Sequence, residues 1–293
     1  RILGRQFVMG RNIHEAIERA RSAERNGYRH SYDMLGEAAR STADALRYFE
    51  SYSDAIAAIG DAAAGRPAFE APSISIKLSA LHPRYEVANE QRVRHELLPA
   101  VKELAVRARA RNIGFTIDAE EADRLEISLD LIEALALDSE LAGWNGLGLA
   151  VQAYQKRALP LLDWLADLAH RGNRRLMVRL CKGAYWDAEI KLAQERGLSD
   201  YPVFTRKVSS DLSYLACARR LFADPLAFYP AFATHNAHTL AAVAELAISA
   251  GGSDEWEYQR LHGMGEELYD QIVGKDRWGR ACRVYAPVGS HED

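Results

Sequence analysis

Polar and charged side chains in this chain recur where short apolar runs end, and their types define a limited chemistry. The run at 74–79 ends in Lys77, Leu78 and Ser79, and the run at 114–119 ends around Asp118 and Glu120. The run at 146–153 leads to Gln152 and Tyr154. The run at 176–182 carries Arg179, Cys181 and Lys182 into Gly183, Tyr185 and Trp186. The run at 228–236 closes on Thr234, His235 and Asn236, and the last, 282–288, carries Tyr285. Arg179 and Lys182 supply fixed positive charge, suited to phosphates, a carboxylate or an electron-rich ring. Gly183 lets a backbone approach a phosphate closely. Tyr185, Trp186 and Tyr285 offer flat apolar faces to an aromatic group or a small cyclic substrate.

Other chemistries fit these residues less well. His235 and His238 are three apart, but one ends a strand-like run and the other starts a helix, with no acidic third ligand at usual spacing. Asp118, Glu120 and Glu121 read as helix-capping or ion-paired carboxylates, so no metal is expected. There is no GxSxG elbow, and Cys181 lies within a strand-like run. Lys77 or Lys182 at a barrel strand end is also the amine that a Schiff-base aldolase would use, which is the alternative reading.

The elements that must hold these residues follow from periodicity. Residues 1–60 read as helices, with 13–25 closed by Asn26–Gly27 and 37–59 closed by Gly60. A Gly- and Pro-containing linker, 65–72, marks a boundary. Eight short apolar runs follow, at 74–79, 114–119, 146–153, 176–182, 203–205, 228–236, 256–263 and 282–288, alternating with helical stretches. That alternation predicts an α/β fold, a (βα)₈ TIM barrel lacking its final helix and preceded by N-terminal helices. The expected division is 1–65 as a helical segment packed on the barrel and 72–293 as the barrel itself. No GxGxxG follows the first run, which weighs against a dinucleotide-binding doubly wound sheet. In a TIM barrel the residues singled out above share one rim.

Composition narrows the class. The 293 residues are 48% hydrophobic, enough for a large core, with formal net charge -4 and pI near 6.2. Basic clusters at 107–111 and 171–175 are short, so no nucleic-acid partner is expected. No run approaches the roughly 20 apolar residues of a spanning helix, and the N-terminus has no signal-peptide pattern. Cys181, Cys217 and Cys282 are odd in number and widely spaced, which fits a reducing cytoplasm. Arg1 and Asp293 read as mid-protein positions, so the chain is expected to be part of a longer protein.

Nine strings complete the reading: SYDMLGE from Ser31, SIKLSALHPRY from Ser75, TIDAEEADRLE from Thr116, VQAYQKR from Val151, RLCKGAYWD from Arg179, YPVFTRK from Tyr201, FATHNA from Phe232, LHGMGE from Leu261 and YAPVGSHE from Tyr285. In this order they resemble the proline dehydrogenase family along essentially the whole chain, most closely its bifunctional bacterial members. The resemblance implies a barrel that holds FAD, oxidises L-proline to Δ1-pyrroline-5-carboxylate by hydride transfer to the flavin, and passes electrons to a membrane quinone. It implies that Arg179 lies near flavin N5, Gln152 at the ring's polar edge and Trp186 at the adenine. Cys181, Gly183, Thr205, Lys207, Thr234, His235, Asn236 and Gln259 would line the rest of the cofactor. Lys77 would bind the proline carboxylate, Tyr185, Leu261 and Tyr285 would enclose its ring, and Asp118 would orient the polar network. In the family the last strand leads into a helix whose two adjacent arginines clamp the carboxylate, with Glu37 as a partner of that helix; the sequence stops before it. An aldehyde dehydrogenase module elsewhere in the full-length protein, a cytoplasmic location and peripheral contact with the inner membrane are implied as well.

Overall fold

A computed structural model describes residues 7–251, 254–274 and 276–289. Eight parallel strands form a closed barrel in sequence order: β1 (Tyr28–Met34), β2 (Ser73–Ile76), β3 (Gly114–Ile117), β4 (Leu147–Gln152), β5 (Leu176–Cys181), β6 (Phe228–Ala233), β7 (Glu257–Leu261) and β8 (Cys282–Val288). β8 closes the ring on β1 over seven pairs, from Tyr28 beside Cys282 to Met34 beside Val288. The helices are α1 (Ile13–Arg25), α2 (Thr42–Ala63), the short α3 (Leu78–Leu81), α4 (Glu90–Ala110), α5 (Leu125–Ala136), α6 (Ala158–Arg171), α7 (Trp186–Glu195), α8 (Lys207–Phe222), α9 (Ala237–Ser249) and the short α10 (Glu266–Tyr269). None of the described helices is long and apolar enough to cross a membrane.

Alternation along the strands separates two interiors. One set of positions, including Ile74, Ile76, Phe115, Ile117, Leu147, Leu149, Val178, Leu180, Phe232 and Tyr258, is buried in a continuous apolar layer with Leu97, Val101 and Leu104 of α4 and Leu162 and Leu165 of α6. The other set faces the barrel axis and, on five of the eight strands, carries polar side chains: Arg29, Ser31 and Asp33 on β1, Ser75 on β2, Arg179 on β5, Glu257 and Gln259 on β7, Arg283 and Tyr285 on β8, joined across the barrel by hydrogen bonds. Barrel interiors are ordinarily filled by branched apolar side chains. A polar interior requires nearly complete pairing, because each unpaired buried group costs about 1–3 kcal/mol.

Two expectations need correction. The predicted strand at 203–205 is not a barrel strand. Val203 makes an isolated antiparallel bridge to Gln155, and its burial comes from that loop packing. The missing member is β1, inside the stretch read as helical, so the expected boundary between a helical segment at 1–65 and a barrel starting at 72 falls inside the barrel. β1 escaped because its inward residues are Arg29, Ser31 and Asp33, whereas parallel strands normally read as apolar runs. Expectations about the chain beyond Gly289 lie outside the described residues.

Candidate active site

At the C-terminal rim four charged groups meet over a tyrosine. Lys77 immediately follows β2; its Nζ donates to both carboxylate oxygens of Asp33, at 2.9 and 2.8 Å, and to the Tyr285 hydroxyl at 3.3 Å. Asp118 immediately follows β3, held in place as its backbone N–H donates to the Ile76 carbonyl at 2.9 Å. Its Oδ1 accepts from Arg179 and its Oδ2 from Tyr285 Oη at 2.6 Å. Arg179 also donates through Nε to Gln259 at 2.7 Å and through Nη2 to Ser75 at 2.6 Å, with its guanidinium carbon 4.9 Å from the centre of the Tyr285 ring.

Charge decides the protonation states. Burial disfavours the Lys77 ammonium, but Asp33 and Asp118 outweigh it and hold its pKa above the ordinary lysine value. Burial pushes the Asp33 carboxyl up against the pull of Lys77. Two cations, Lys77 and Arg179, face two carboxylates, Asp33 and Asp118, so this floor is electrically balanced. Lys77 is therefore not a free amine, and Lys182 is engaged by Asp211. A Schiff-base mechanism needs a neutral lysine, which Lys77 does not supply. Burial pushes the Cys181 thiol up to about 12, which removes it as a nucleophile at neutral pH.

Above this floor opens a cleft of about 950 Å³, at the upper end of the range of small-molecule sites. Of the residues expected from the sequence, Lys77, Asp118, Gln152, Arg179, Cys181, Gly183, Tyr185, Lys207, Thr234, His235, Asn236, Gln259, Leu261 and Tyr285 line it. Two do not. Trp186 is exposed at the start of α7, its Nε1 donating to the Phe204 carbonyl at 2.9 Å, and Thr205 is exposed in the segment before α8. The cleft also takes in Asp33, Glu37, Tyr48, Lys182 and Arg260. Asp33 went unrecognised because its strand did; the alternation within 28–34 was the available signal.

The walls are built for a large polar ligand. Gln152 donates to the Glu120 carbonyl at 2.9 Å and accepts from the Ala184 N–H at 3.1 Å, which ties the end of β4 to the loop after β5. In that loop Gly183 has φ of 144°, and a Cβ there would sit 2.4 Å from the Tyr154 ring. Lys182 and Lys207 share the single carboxylate of Asp211, which leaves one positive charge toward an anionic group. Asn236 caps α9 by accepting from the Thr239 N–H at 2.9 Å. His235 Nε2 accepts from the Leu261 N–H at 3.0 Å. Burial, then Arg260, lowers its pKa, so the ring is a neutral acceptor there. The donor set fits a dinucleotide: cations for a diphosphate and amides and guanidinium for a heterocyclic ring. Among the described residues no group of three or more His, Cys, Asp and Glu side chains is placed to hold a metal ion. Glu120, the neighbour of Asp118, is turned away, accepting from the Ser79 N–H at 3.0 Å.

Comparison with known proteins agrees with this geometry. The family model described as proline dehydrogenase matches residues 16–293. The bifunctional protein PutA of Escherichia coli K12 is 59% identical over 295 residues, covering 100% of this chain and 22% of its own length. The proline dehydrogenase of Deinococcus radiodurans is 28% identical over 98% of the chain and 82% of its own length. The crystal structure of proline utilization A from Bdellovibrio bacteriovorus, inactivated by N-propargylglycine, superposes with a TM-score of 0.92 at 28% identity, over 99% of this chain and 31% of that one. The chain thus spans about a fifth of the length of the bifunctional relatives it matches. A family match over nearly the whole sequence, on a closed parallel barrel with its polar residues gathered at one rim, places this chain in the proline dehydrogenase family.

Proposed function

We propose that this chain is the catalytic barrel of a flavoenzyme that oxidises free L-proline to Δ1-pyrroline-5-carboxylate. The observation that carries the reading is the balanced floor of Lys77, Arg179, Asp33 and Asp118 in one cleft with Tyr285, Tyr185 and Leu261. Paired charges of both signs suit a small zwitterion better than a simple anion, and the flanking side chains suit an aliphatic ring. FAD, when bound, supplies the hydride acceptor, and its electrons pass on to a quinone.

The residues divide the remaining work. Arg179, with three acceptors around it, keeps a fixed cation beside the reacting centre, where it favours an electron-rich ring. Lys77 stays protonated and presents positive charge toward a carboxylate. Asp118 has both oxygens occupied by Arg179 and Tyr285, so it orients those groups. Gln152 and the Gly183 loop form the polar wall for the heterocycle, and Lys182 and Lys207 supply the leftover charge for a diphosphate. The quinone acceptor, an aldehyde dehydrogenase module elsewhere in the protein, and a cytoplasmic location with peripheral membrane contact rest on the family alone; the bifunctional relatives support the second.

Anaerobic addition of L-proline to the purified flavin-loaded protein tests the reading. Bleaching of the oxidised-flavin absorbance with one pyrroline-5-carboxylate formed per flavin is expected. A yellow protein whose spectrum proline leaves unchanged would overturn it, as would a colourless protein trapped by borohydride on a carbonyl substrate.

A further inference from the structure

At the opposite end of the barrel axis from the rim lies a second charged cluster that the chemistry above does not use. Glu257, the first residue of β7, is fully buried. Its Oε1 accepts from Arg283 Nε at 2.6 Å, and its Oε2 from Arg283 Nη2 at 3.1 Å and Arg29 Nη1 at 3.0 Å. Oε1 accepts one further bond, from Gln259 Nε2 at 3.0 Å. The other end of the same amide, Gln259 Oε1, accepts from Arg179 Nε at 2.7 Å. Glu257 and Gln259 are two apart on one strand, so both point down the axis, and one amide bridges the cluster to the rim.

We infer that Glu257 is a positioning residue for Arg179, acting through Gln259. A carboxylate is acceptor-only and a guanidinium is donor-only. An amide between them has one satisfying orientation, NH₂ toward Glu257 and C=O toward Arg179; the flipped amide sets donor against donor and acceptor against acceptor. Two arginines keep Glu257 ionised. Burial alone would raise its pKa, but Arg283 and Arg29 outweigh burial and lower it. The orientation of Gln259 is thus dictated by charge at the far end of the barrel, and Arg179 receives a guaranteed acceptor that, with Asp118 and Ser75, fixes its guanidinium plane. This inference rests on the proposed place of Arg179 beside the flavin.

The test uses Glu257→Gln in the flavin-loaded enzyme. The substituted amide keeps the shape, but it can donate as well as accept, so Gln259 loses its single orientation. A bond to a charged group is at stake, so kcat should fall roughly tenfold to a hundredfold with KM for proline little changed. The midpoint potential of the bound flavin should fall too, a readout independent of turnover. Gln259→Leu removes the bridge while leaving Glu257, Arg283 and Arg29 in place, and should reproduce both effects. In that background Glu257→Gln should add nothing to the shift in potential. If Glu257→Gln does not fold, Glu257→Asp, which keeps the charge but draws the carboxylate back from Gln259, should lower the potential in the same direction, with no added shift in the Gln259→Leu background. An unchanged potential and kcat in either folded variant, or an equal shift from Glu257→Gln in both backgrounds, overturns the inference. Arg179→Met separates the two levels: if it leaves the potential unchanged, the placement of Arg179 fails, whereas if it shifts the potential and Glu257→Gln does not, only the positioning role fails.

Discussion

Replacing Lys77 with Met should cost both stability and substrate affinity, and the two losses have different pH behaviour. Asp33 is buried and Lys77 half-buried, with Nζ within 2.9 Å of each carboxylate oxygen. Removing one member of such a pair leaves an uncompensated charge and costs about 3–5 kcal/mol. The floor then holds Asp33 and Asp118 against Arg179 alone, so a carboxylate substrate meets net negative charge. Loss of a charge-assisted contact, about 1.5–3 kcal/mol, weakens proline binding roughly tenfold to a hundredfold. In the variant Asp33 loses the pull of Lys77 that opposes burial, so its folded pKa, already raised, moves further above its unfolded one and the native state binds the extra proton more readily. Stability therefore falls as pH rises, and the deficit against the parent protein should be largest near pH 8 and narrow toward pH 5. Thermal unfolding across that range measures the first effect, and titration of flavin reduction with proline measures the second. The double variant Lys77→Met with Asp33→Leu should recover stability but not affinity. A single variant as stable as the parent at pH 8, or a double variant no more stable than the single, refutes the pairing argument. Unchanged proline affinity refutes the substrate role.

Three further outcomes follow from the same geometry. Arg179→Met should lower the flavin midpoint potential and slow reduction by proline, measured by potentiometry and anaerobic stopped flow; normal values for both would reject its place beside the reacting ring. Gly183→Ala should sharply reduce the flavin content of the purified protein, because its φ of 144° disfavours any L side chain and its Cβ would collide with Tyr154; full flavin occupancy would show that the loop can shift without loss. Asn236→Ala removes the cap of α9 and should cost about 1 kcal/mol, or a fall of roughly 2–4 °C in melting temperature by calorimetry; an unchanged Tm would mean that the Thr239 N–H finds another acceptor.

The sequence read on its own determined the class of fold and most of the rim. Apolar runs at regular intervals imply parallel strands, parallel strands alternating with helices imply a barrel, and a barrel gathers whatever follows each strand at one end. Lys77, Asp118, Gln152 and Asn236 were identifiable for that reason, with no knowledge of their partners. Periodicity failed where the signal was inverted or too short. β1 was hidden because Arg29, Ser31 and Asp33 turn toward a polar axis, and 203–205 imitated a strand because one valine is buried by a loop.

Tertiary structure alone decided the pairings. Lys77 meets Asp33 from 44 residues away, and Tyr285 reaches Asp118 across 167. Glu257 binds Arg29 across 228 residues because closing the barrel brings β7, β8 and β1 side by side. Spacing along a chain carries no record of such meetings, and neither do the consequences: a lysine held protonated, an amide with one permitted orientation, and a balanced floor where isolated residues had suggested a surplus of positive charge. Local periodicity comes from the repeat of the backbone itself, whereas charge balance depends on which side chains the closed ring forces to share one low-dielectric axis.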